Sequence, residues 1–412
     1  MGTSLRQAAA AAAVSSCLVL GVGALAYAIW GIHPTYGTPS EFPTWGSFGE
    51  ALGAVPVRWD AKHYIEIAEN GYTEWFQPAW FPLYPLLAAA LGAVVGSVAI
   101  AGFCISLAAF VIGLALLHKL TALELGAEAA SRVVWLTALF PSAIFFPSIL
   151  TESLFLALSV GAVYAARVGR WEIAALAGGA AALTRNTGVL LLLPIAVLYL
   201  YGPREGGRPA APLQRLRGRL RGLSPRFRVD RDFAWLLAIP LGLGVYLAYS
   251  WIEFSDPLAT MHVQDYWNRG FHGPLSAVFF ATQDAWYGLK GLKRFGIDWA
   301  NVFTYDSPTY WGLRRIGELS WIAFAGVALV GALRRLPPAY GLYAAAGLAV
   351  PLTYPDPVNP LASFNRYLLV LFPLYMWLAA ATERRSRYAA VLVVSVLGLI
   401  FQAVQVANGR WV

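Results

Sequence analysis

Residues 97–118 read SVAIAGFCISLAAFVIGLALLH, without one Asp, Glu, Lys or Arg. A helix crossing the hydrocarbon core of a bilayer needs about 20 such residues. Working outward, comparable apolar runs occupy 8–30, 132–147, 149–166, 171–183, 187–201, 233–253, 313–333, 339–354, 366–382 and 389–408. The pattern predicts an all-α polytopic membrane protein, one domain over 1–412 with about eleven transmembrane helices. Several runs are short, as is tolerated where a helix lines a protein cavity and not lipid. A further apolar piece, 81–96, reads either as a span or as a helix lying in the interface. The composition agrees: 58% of the 412 residues are hydrophobic and 13% charged, against roughly 25% charged in a soluble domain. The run 8–30 ends near Ala26-Tyr27-Ala28, which mimics a signal-peptidase site, but it exceeds the roughly 7–15 residues of a signal-peptide core and reads as a retained first helix.

The formal net charge is +8. Its distribution argues for membrane orientation and anionic headgroups, not nucleic acid. The most basic segment, 203–231, carries Arg204, Arg208, Arg215, Arg217, Arg219, Arg221, Arg226, Arg228 and Arg231 and reads as a flexible cytoplasmic loop. Counting helices from it puts Arg6, Lys119 with Arg132, Arg167 with Arg170, Arg334 with Arg335, and Arg384 with Arg385 and Arg387 on that same side, provided 81–96 does not cross. Two long loops, 31–96 and 254–312, then face outside. Both are rich in Trp, Tyr and Phe, as amphipathic interfacial segments are. Cys17 and Cys104 lie inside apolar runs, lack partners at metal-ligand spacing, and read as small core residues.

The first outer loop contains Arg58-Trp59-Asp60-Ala61-Lys62-His63-Tyr64-Ile65-Glu66-Ile67-Ala68-Glu69-Asn70-Gly71-Tyr72. A helix over 60–70 sets Asp60, His63, Tyr64 and Ile67 on one face, with Gly71 in the left-handed position beyond its end. Asp60 near the helix start is either a cap or a chemically active carboxylate. Pro82 and Pro85 in Phe81-Pro82-Leu83-Tyr84-Pro85-Leu86 mark a fixed turn where the chain meets the membrane. Thr151-Glu152-Ser153, Thr184-Arg185-Asn186 and Phe364-Asn365-Arg366-Tyr367 set ionisable groups at the outer ends of apolar runs. Such groups are functional candidates, although Arg185 and Arg366 also have the snorkelling option. In the second outer loop, Asp256-Pro257-Leu258 precedes His262-Val263-Gln264-Asp265-Tyr266-Trp267-Asn268-Arg269, a mixture suited equally to sugar contact and to an interfacial helix.

Together these motifs resemble the PIG-V family, the GPI mannosyltransferase II group of the GT-C membrane glycosyltransferases. The resemblance runs in order from 58 to about 377: Arg58-Trp59-Asp60, His63-Tyr64, Ile67-Ala68, Gly71-Tyr72, the 81–86 motif, Thr151-Glu152-Ser153-Leu154-Phe155, Leu183-Thr184-Arg185 before Gly188, Asp256-Pro257-Leu258 before His262, and Asn365-Arg366-Tyr367 before Phe372-Pro373-Leu374. The block 58–86 is its most specific part. The resemblance implies a GT-C bundle whose active site lies between the first outer loop and the outer membrane face. It implies inverting transfer of mannose from a polyprenyl- or dolichyl-phosphate carrier to a lipid-linked or glycan acceptor, with no nucleotide sugar at the site.

On that reading Asp60 is the base that takes the acceptor's proton. Arg185, Arg366 and Arg269 bind the donor phosphate. Trp59, His63, Tyr64, Glu152 and His262 contact substrate. No cofactor and no essential metal are expected, since no Asp-x-Asp pair stands out. The site would face the outside of a prokaryotic plasma membrane or the lumen of the endoplasmic reticulum. The Ala-, Gly- and Arg-rich composition suggests the former, which leaves the acceptor open. Alternatives are a GT-C transferase for another lipid-linked sugar, a lipid-linked sugar flippase, and a non-catalytic subunit in which Asp60 only caps a helix. No internal repeat of the transporter kind joins the two halves.

Overall fold

The chain, in a computed structural model, is described over residues 2–31, 47–209, 224–299 and 307–410. It folds into helices α1 (Thr3–Trp30), α2 (Ser47–Gly53), α3 (Asp60–Asn70), α4 (Leu83–Val95), α5 (Val98–Leu125), α6 (Ala127–Ala138), α7 (Glu152–Arg167), α8 (Trp171–Ala182), α9 (Leu192–Tyr201), α10 (Ala238–Phe254), α11 (Ala259–His262), α12 (Ser276–Phe295), α13 (Pro308–Arg335), α14 (Pro338–Thr353), α15 (Phe364–Val370), α16 (Phe372–Ala381) and α17 (Arg385–Ala407), with short 3-10 turns between some of them. Among the described residues the only β pairing is one isolated bridge, Pro209 with Phe227.

Among the described residues, five helices are long and apolar enough to cross a membrane: α1, α5, Arg231–Phe254, α13 and α17. A sixth arises if α15 and α16, bent by 73° at Leu371, count as one broken span. Other runs expected to cross give shorter helices: α6, α7, α8 and α14 have 12, 16, 12 and 16 residues. At 1.5 Å per residue these are roughly 18–24 Å long, less than the hydrocarbon core of about 30 Å. The region 81–96 yields α4, whose 13 residues extend only about 20 Å.

Proline sets the most consequential departure from the expected spans. The run 132–147 was expected to continue as one helix, but α6 stops at Ala138. Phe140 is forced extended by Pro141, as a residue before proline tends to be. The chain then turns through 139–151 with nearly every side chain buried. Irregular backbone at this depth survives because protein surrounds it. The turn is tied down by Ile149 N–H to Pro56 O (3.0 Å) and by Ser153 Oγ to Phe146 O (2.7 Å). It delivers Glu152 to the first turn of α7.

The two ends of the bundle differ chemically. At one end Arg167 pairs with Glu124 (2.6 Å), which also accepts from Tyr340 Oη (2.9 Å). Arg132 and Arg335 donate to the carbonyls of Ala379 and Ala380 at the C-terminus of α16, satisfying acceptors that a helix end leaves open. Arg204 lies against Trp171, Tyr199 and Phe227, so the ends of the basic segment 203–231 pack on helix termini. Its Arg215, Arg217, Arg219 and Arg221 lie outside the described residues, as do 32–46 and 300–306 of the two aromatic loops. Along α7, Glu152 stands about 22 Å from Arg167, at the opposite end. Cys17 and Cys104, expected in the core, are exposed on α1 and α5. Their thiols face outward from long apolar helices.

Candidate functional site

The opposite end of the bundle gathers charged groups from four separate elements. Glu152 is fully buried, and its Oε1 accepts from Arg185 Nη1 at 3.0 Å and from Arg366 Nε at 2.7 Å. Arg366 Nη1 also donates to Asp60 Oδ2. Side-chain exposure rises outward from Glu152 (0%) through Arg366 (8%) and Arg185 (14%) to Asp60 (25%). The cluster is thus anchored at Glu152 and open at Asp60.

Local structure explains each placement. Asp60 and Glu152 both occupy the first turn of a helix, where the peptide dipoles favour an anion. Asp60 is the first helical residue of α3 and makes no capping bond. The capping alternative is therefore not realised, and its carboxylate is directed to Arg366. Helix α3 spans 60–70 as the sequence predicts. Gly71 has the expected positive φ (74°), but its ψ of −168° is far from the left-handed helical value, so it extends the chain where a left-handed cap was expected.

Trp59, just before Asp60, holds φ 49° and ψ −113°, a region costly for a residue with a Cβ. Ser363 (φ 62°), three residues before Arg366, and Asn268 (φ 54°), next to Arg269, are also left-handed. Among the described residues, three of the five non-glycine residues with positive φ thus adjoin candidate site residues. Arg185 follows the end of α8, in a turn that Gly188 folds back upon it. A Cβ at Gly188 would strike the backbone of Ala181. Leu83 N–H bonds Leu183 O (3.1 Å), fastening α4 to this turn.

The arginines are further held by aromatic faces. Arg185 lies 5.8 Å from the ring centre of Phe155 and 5.4 Å from that of Tyr367, and Arg366 lies 5.3 Å from Phe145, within cation–π range. Burial pushes the Asp60 carboxyl up. The Arg366 guanidinium beside it outweighs that effect, with His63 and Arg269 adding, and holds it below its ordinary value.

Arg269 donates to Ala362 O (3.0 Å) and lines a cavity of about 340 Å³. The cavity also touches Asn186, His262, Asp265, Asp356, Phe364 and Tyr367, so it adjoins Arg185 and the α15 turn. His262 borders it with Nδ1 at 2.7 Å from Asp256, whose other oxygen accepts from Leu258 N–H. Tyr64 is buried edge-on to Tyr84, and Trp59 packs near Phe145. His63 approaches Glu66 through Nδ1 (3.1 Å) and lies 4.2 Å from Trp80, centre to centre. It makes no hydrogen bond to Asp60. Asp60, Glu152, Arg185 and Arg366 therefore converge in direct contact, Arg269 is close, and His262 stands across the cavity. Among the described residues no three His, Cys, Asp or Glu side chains form a metal-binding group.

Two features escaped the sequence reading. Arg58 is 4% exposed and donates to Ala54 O (2.8 Å) and to Ala407 O (3.0 Å). It clamps the Asp60 turn to the end of α17. Its position inside the Arg58-Trp59-Asp60 motif was the available signal. The loop 354–362 forms one cavity wall, and the turn-forming Tyr354-Pro355-Asp356-Pro357 announced it.

Long apolar helices and a buried cluster of charged groups thus occur in one chain. Within it, residues 47–197 match the family described as Mannosyltransferase (PIG-V), in agreement with the resemblance read from the motifs. A comparison with curated proteins finds no match. Among solved structures the chain is similar to the oligosaccharyltransferase of Archaeoglobus fulgidus in complex with zinc and sulfate, at 14% identity and a TM-score of 0.43, covering 95% of this chain and 53% of that one. It is also similar to archaeal oligosaccharyltransferase AglB from the same organism, in complex with an inhibitory peptide and a dolichol-phosphate, at 12% identity and a TM-score of 0.43, covering 98% and 56%. The chain spans about half the length of these structures.

Proposed function

We propose that the chain is an inverting GT-C mannosyltransferase that takes mannose from a polyprenyl- or dolichyl-phosphate on the non-cytoplasmic face of the membrane and passes it to a hydroxyl of a lipid-linked or glycan acceptor. The observation that carries this reading is the Asp60–Arg366–Glu152–Arg185 cluster, open at Asp60 and bordered by the cavity that holds Arg269. In the reaction the acceptor oxygen forms a bond to the anomeric carbon as its proton passes to Asp60. The bond from that carbon to the phosphate oxygen breaks, and its electron pair leaves with the prenyl phosphate.

Charge supports the assignment. The cluster itself sets two guanidinium groups against two carboxylates, and the adjoining cavity adds Arg269 with Asp265 and Asp356. After transfer the phosphate carries a second negative charge, while Asp60 has lost its own by taking the proton. The site's total charge is unchanged, so little electrostatic reorganisation opposes the step. Arg185 and Arg366 meet the leaving phosphate with directed N–H groups. Trp59, Tyr64 and His262 supply aromatic and polar surface for the sugar and the acceptor. No cofactor and no essential metal enter this scheme.

The short helices α6 to α9 and α14 complete about eleven crossings around the buried turn 139–151. The arginine-lined end of the bundle is cytoplasmic, as the excess of basic residues favours. A flippase would need no positioned base, and the Asp60 carboxylate favours the transferase. The test is transfer by purified protein in liposomes given radiolabelled polyprenyl-phosphate-mannose or GDP-mannose with a membrane-lipid acceptor extract. Label should reach the acceptor from the prenyl donor alone. Use of GDP-mannose, or translocation without transfer, would overturn the reading.

A further inference from the structure

The resting cluster leaves the candidate base occupied. Asp60 faces Arg366, and a carboxylate held by a guanidinium is ionised but is a poor acceptor of a proton. The same guanidinium is a candidate ligand for the donor phosphate. Among the described residues, Arg366 spends Nε on Glu152 and Nη1 on Asp60, and Arg185 spends only Nη1 on Glu152. Arg366 Nη2, with Arg185 Nε and Nη2, remains for a ligand. The parallel pair of N–H groups that grips a phosphate best becomes complete on Arg366 when Asp60 lets go of Nη1.

We infer that the donor's phosphate and Asp60 compete for Arg366, so that seating the lipid phosphate is the event that frees the base. This rests on the function proposed above and adds an order to it: donor first, acceptor activation second. The exposure gradient identifies which partner yields. Glu152 is fully buried and holds both arginines, whereas Asp60 is the most exposed member and sits at the cluster's edge. The backbone agrees, since Trp59 is held at a strained φ and ψ immediately before Asp60, so the paired position is one the local chain does not favour by itself. Once displaced, Asp60 still feels the positive charge of Arg269, which lines the neighbouring cavity. An acceptor arriving before the donor meets a carboxylate already engaged.

The exchange makes a prediction opposite to the usual effect of removing a site residue: deleting the base should tighten phosphate binding. The probe is farnesyl monophosphate titrated into purified full-length protein in detergent micelles, with affinity measured by calorimetry. Asp60→Asn and Asp60→Ser should each bind it about tenfold or more tightly than wild type, since a charge-assisted contact no longer competes. Asp265→Asn, which removes a cavity carboxylate not paired with Arg366, should change affinity by less than about threefold. In an Arg366→Gln background, Asp60→Asn should give no further tightening. If wild type binds the probe while both Asp60 variants bind it equally or more weakly, or if Asp265→Asn tightens it as much, the exchange is refuted and the transferase reading stands. If none of the proteins binds the probe, both fail.

Discussion

Replacing Glu152 tests whether the buried anchor organises the cluster. It accepts one hydrogen bond from each of Arg185 and Arg366 and is fully buried. In Glu152→Gln the oxygen that accepts both bonds is kept, and the new amide nitrogen takes the Oε2 position, where no protein partner is displaced. The change therefore isolates the charge. Each bond falls from charge-assisted to neutral-acceptor strength, a loss of about 1–1.5 kcal/mol apiece, so about 2–3 kcal/mol in total. Glu152→Ala removes the partner outright and should cost about 3–5 kcal/mol, as other broken buried pairs do. An unfolding entropy of about 2.1 cal/mol/K per residue converts the glutamine penalty into a fall of roughly 2–4 °C in Tm for a chain this long. Thermal unfolding in detergent, followed by tryptophan fluorescence, reads it directly. The double variant Glu152→Gln, Arg185→Gln should lose at least about 1 kcal/mol less than the sum of the singles, because each single leaves its former partner's charge without that counter-charge and the double removes both. A Glu152→Gln protein melting within about half a degree of wild type, or strictly additive losses, would refute the anchoring role.

Other outcomes follow from the same geometry. Arg58→Ala should cost about 3 kcal/mol or more, since at least two charge-assisted bonds are lost. Arg58→Lys should retain more stability yet lower kcat with little change in KM, since it mispositions Asp60 without touching the donor; a rise in KM alone would contradict this. Arg185→Ala should raise the KM for the prenyl-phosphate donor about tenfold or more and leave that for acceptor nearly unchanged, as paired substrate titrations would reveal. Asp60 titrates lower in the folded protein than in the unfolded chain, so its contribution to stability is whole above about pH 4 and disappears only as pH falls through the folded value. The stability difference between wild type and Asp60→Asn should therefore be the same at pH 5 and pH 8, and a difference that fades between those values would count against the ion pair. Lys62→Cys, on the exposed side of α3, should react in intact cells with a membrane-impermeant maleimide; labelling only after permeabilisation would reverse the topology.

Much of this was legible beforehand where one interaction decides the structure. Helix α3 begins at Asp60 and ends before Gly71 because an anion, an apolar stripe and a terminal glycine all act locally. The long apolar runs behave similarly, since a bilayer leaves the backbone few alternatives. What was not legible depends on distant partners. The break after Ala138 needs Pro141, but the buried path to Glu152 also needs Pro56 and Ser153, which only the assembled fold brings near. The cluster itself joins residues up to 306 positions apart, and no local spacing encodes that meeting. Resemblance singled out its members, while hydropathy only placed them at the ends of runs. Arg58 shows the converse: its two carbonyl partners are backbone atoms, which carry no side-chain signature.

The most direct measurement is a single-turnover mass balance. Purified protein is mixed with excess acceptor and a limiting amount of polyprenyl-phosphate-mannose, and both lipids are quantified by mass spectrometry. The account predicts that wild type forms one prenyl monophosphate for each mannose transferred, and that Asp60→Asn, which still binds the donor, forms neither. Equal product from the two proteins would show that the carboxylate at the head of α3 is not the base.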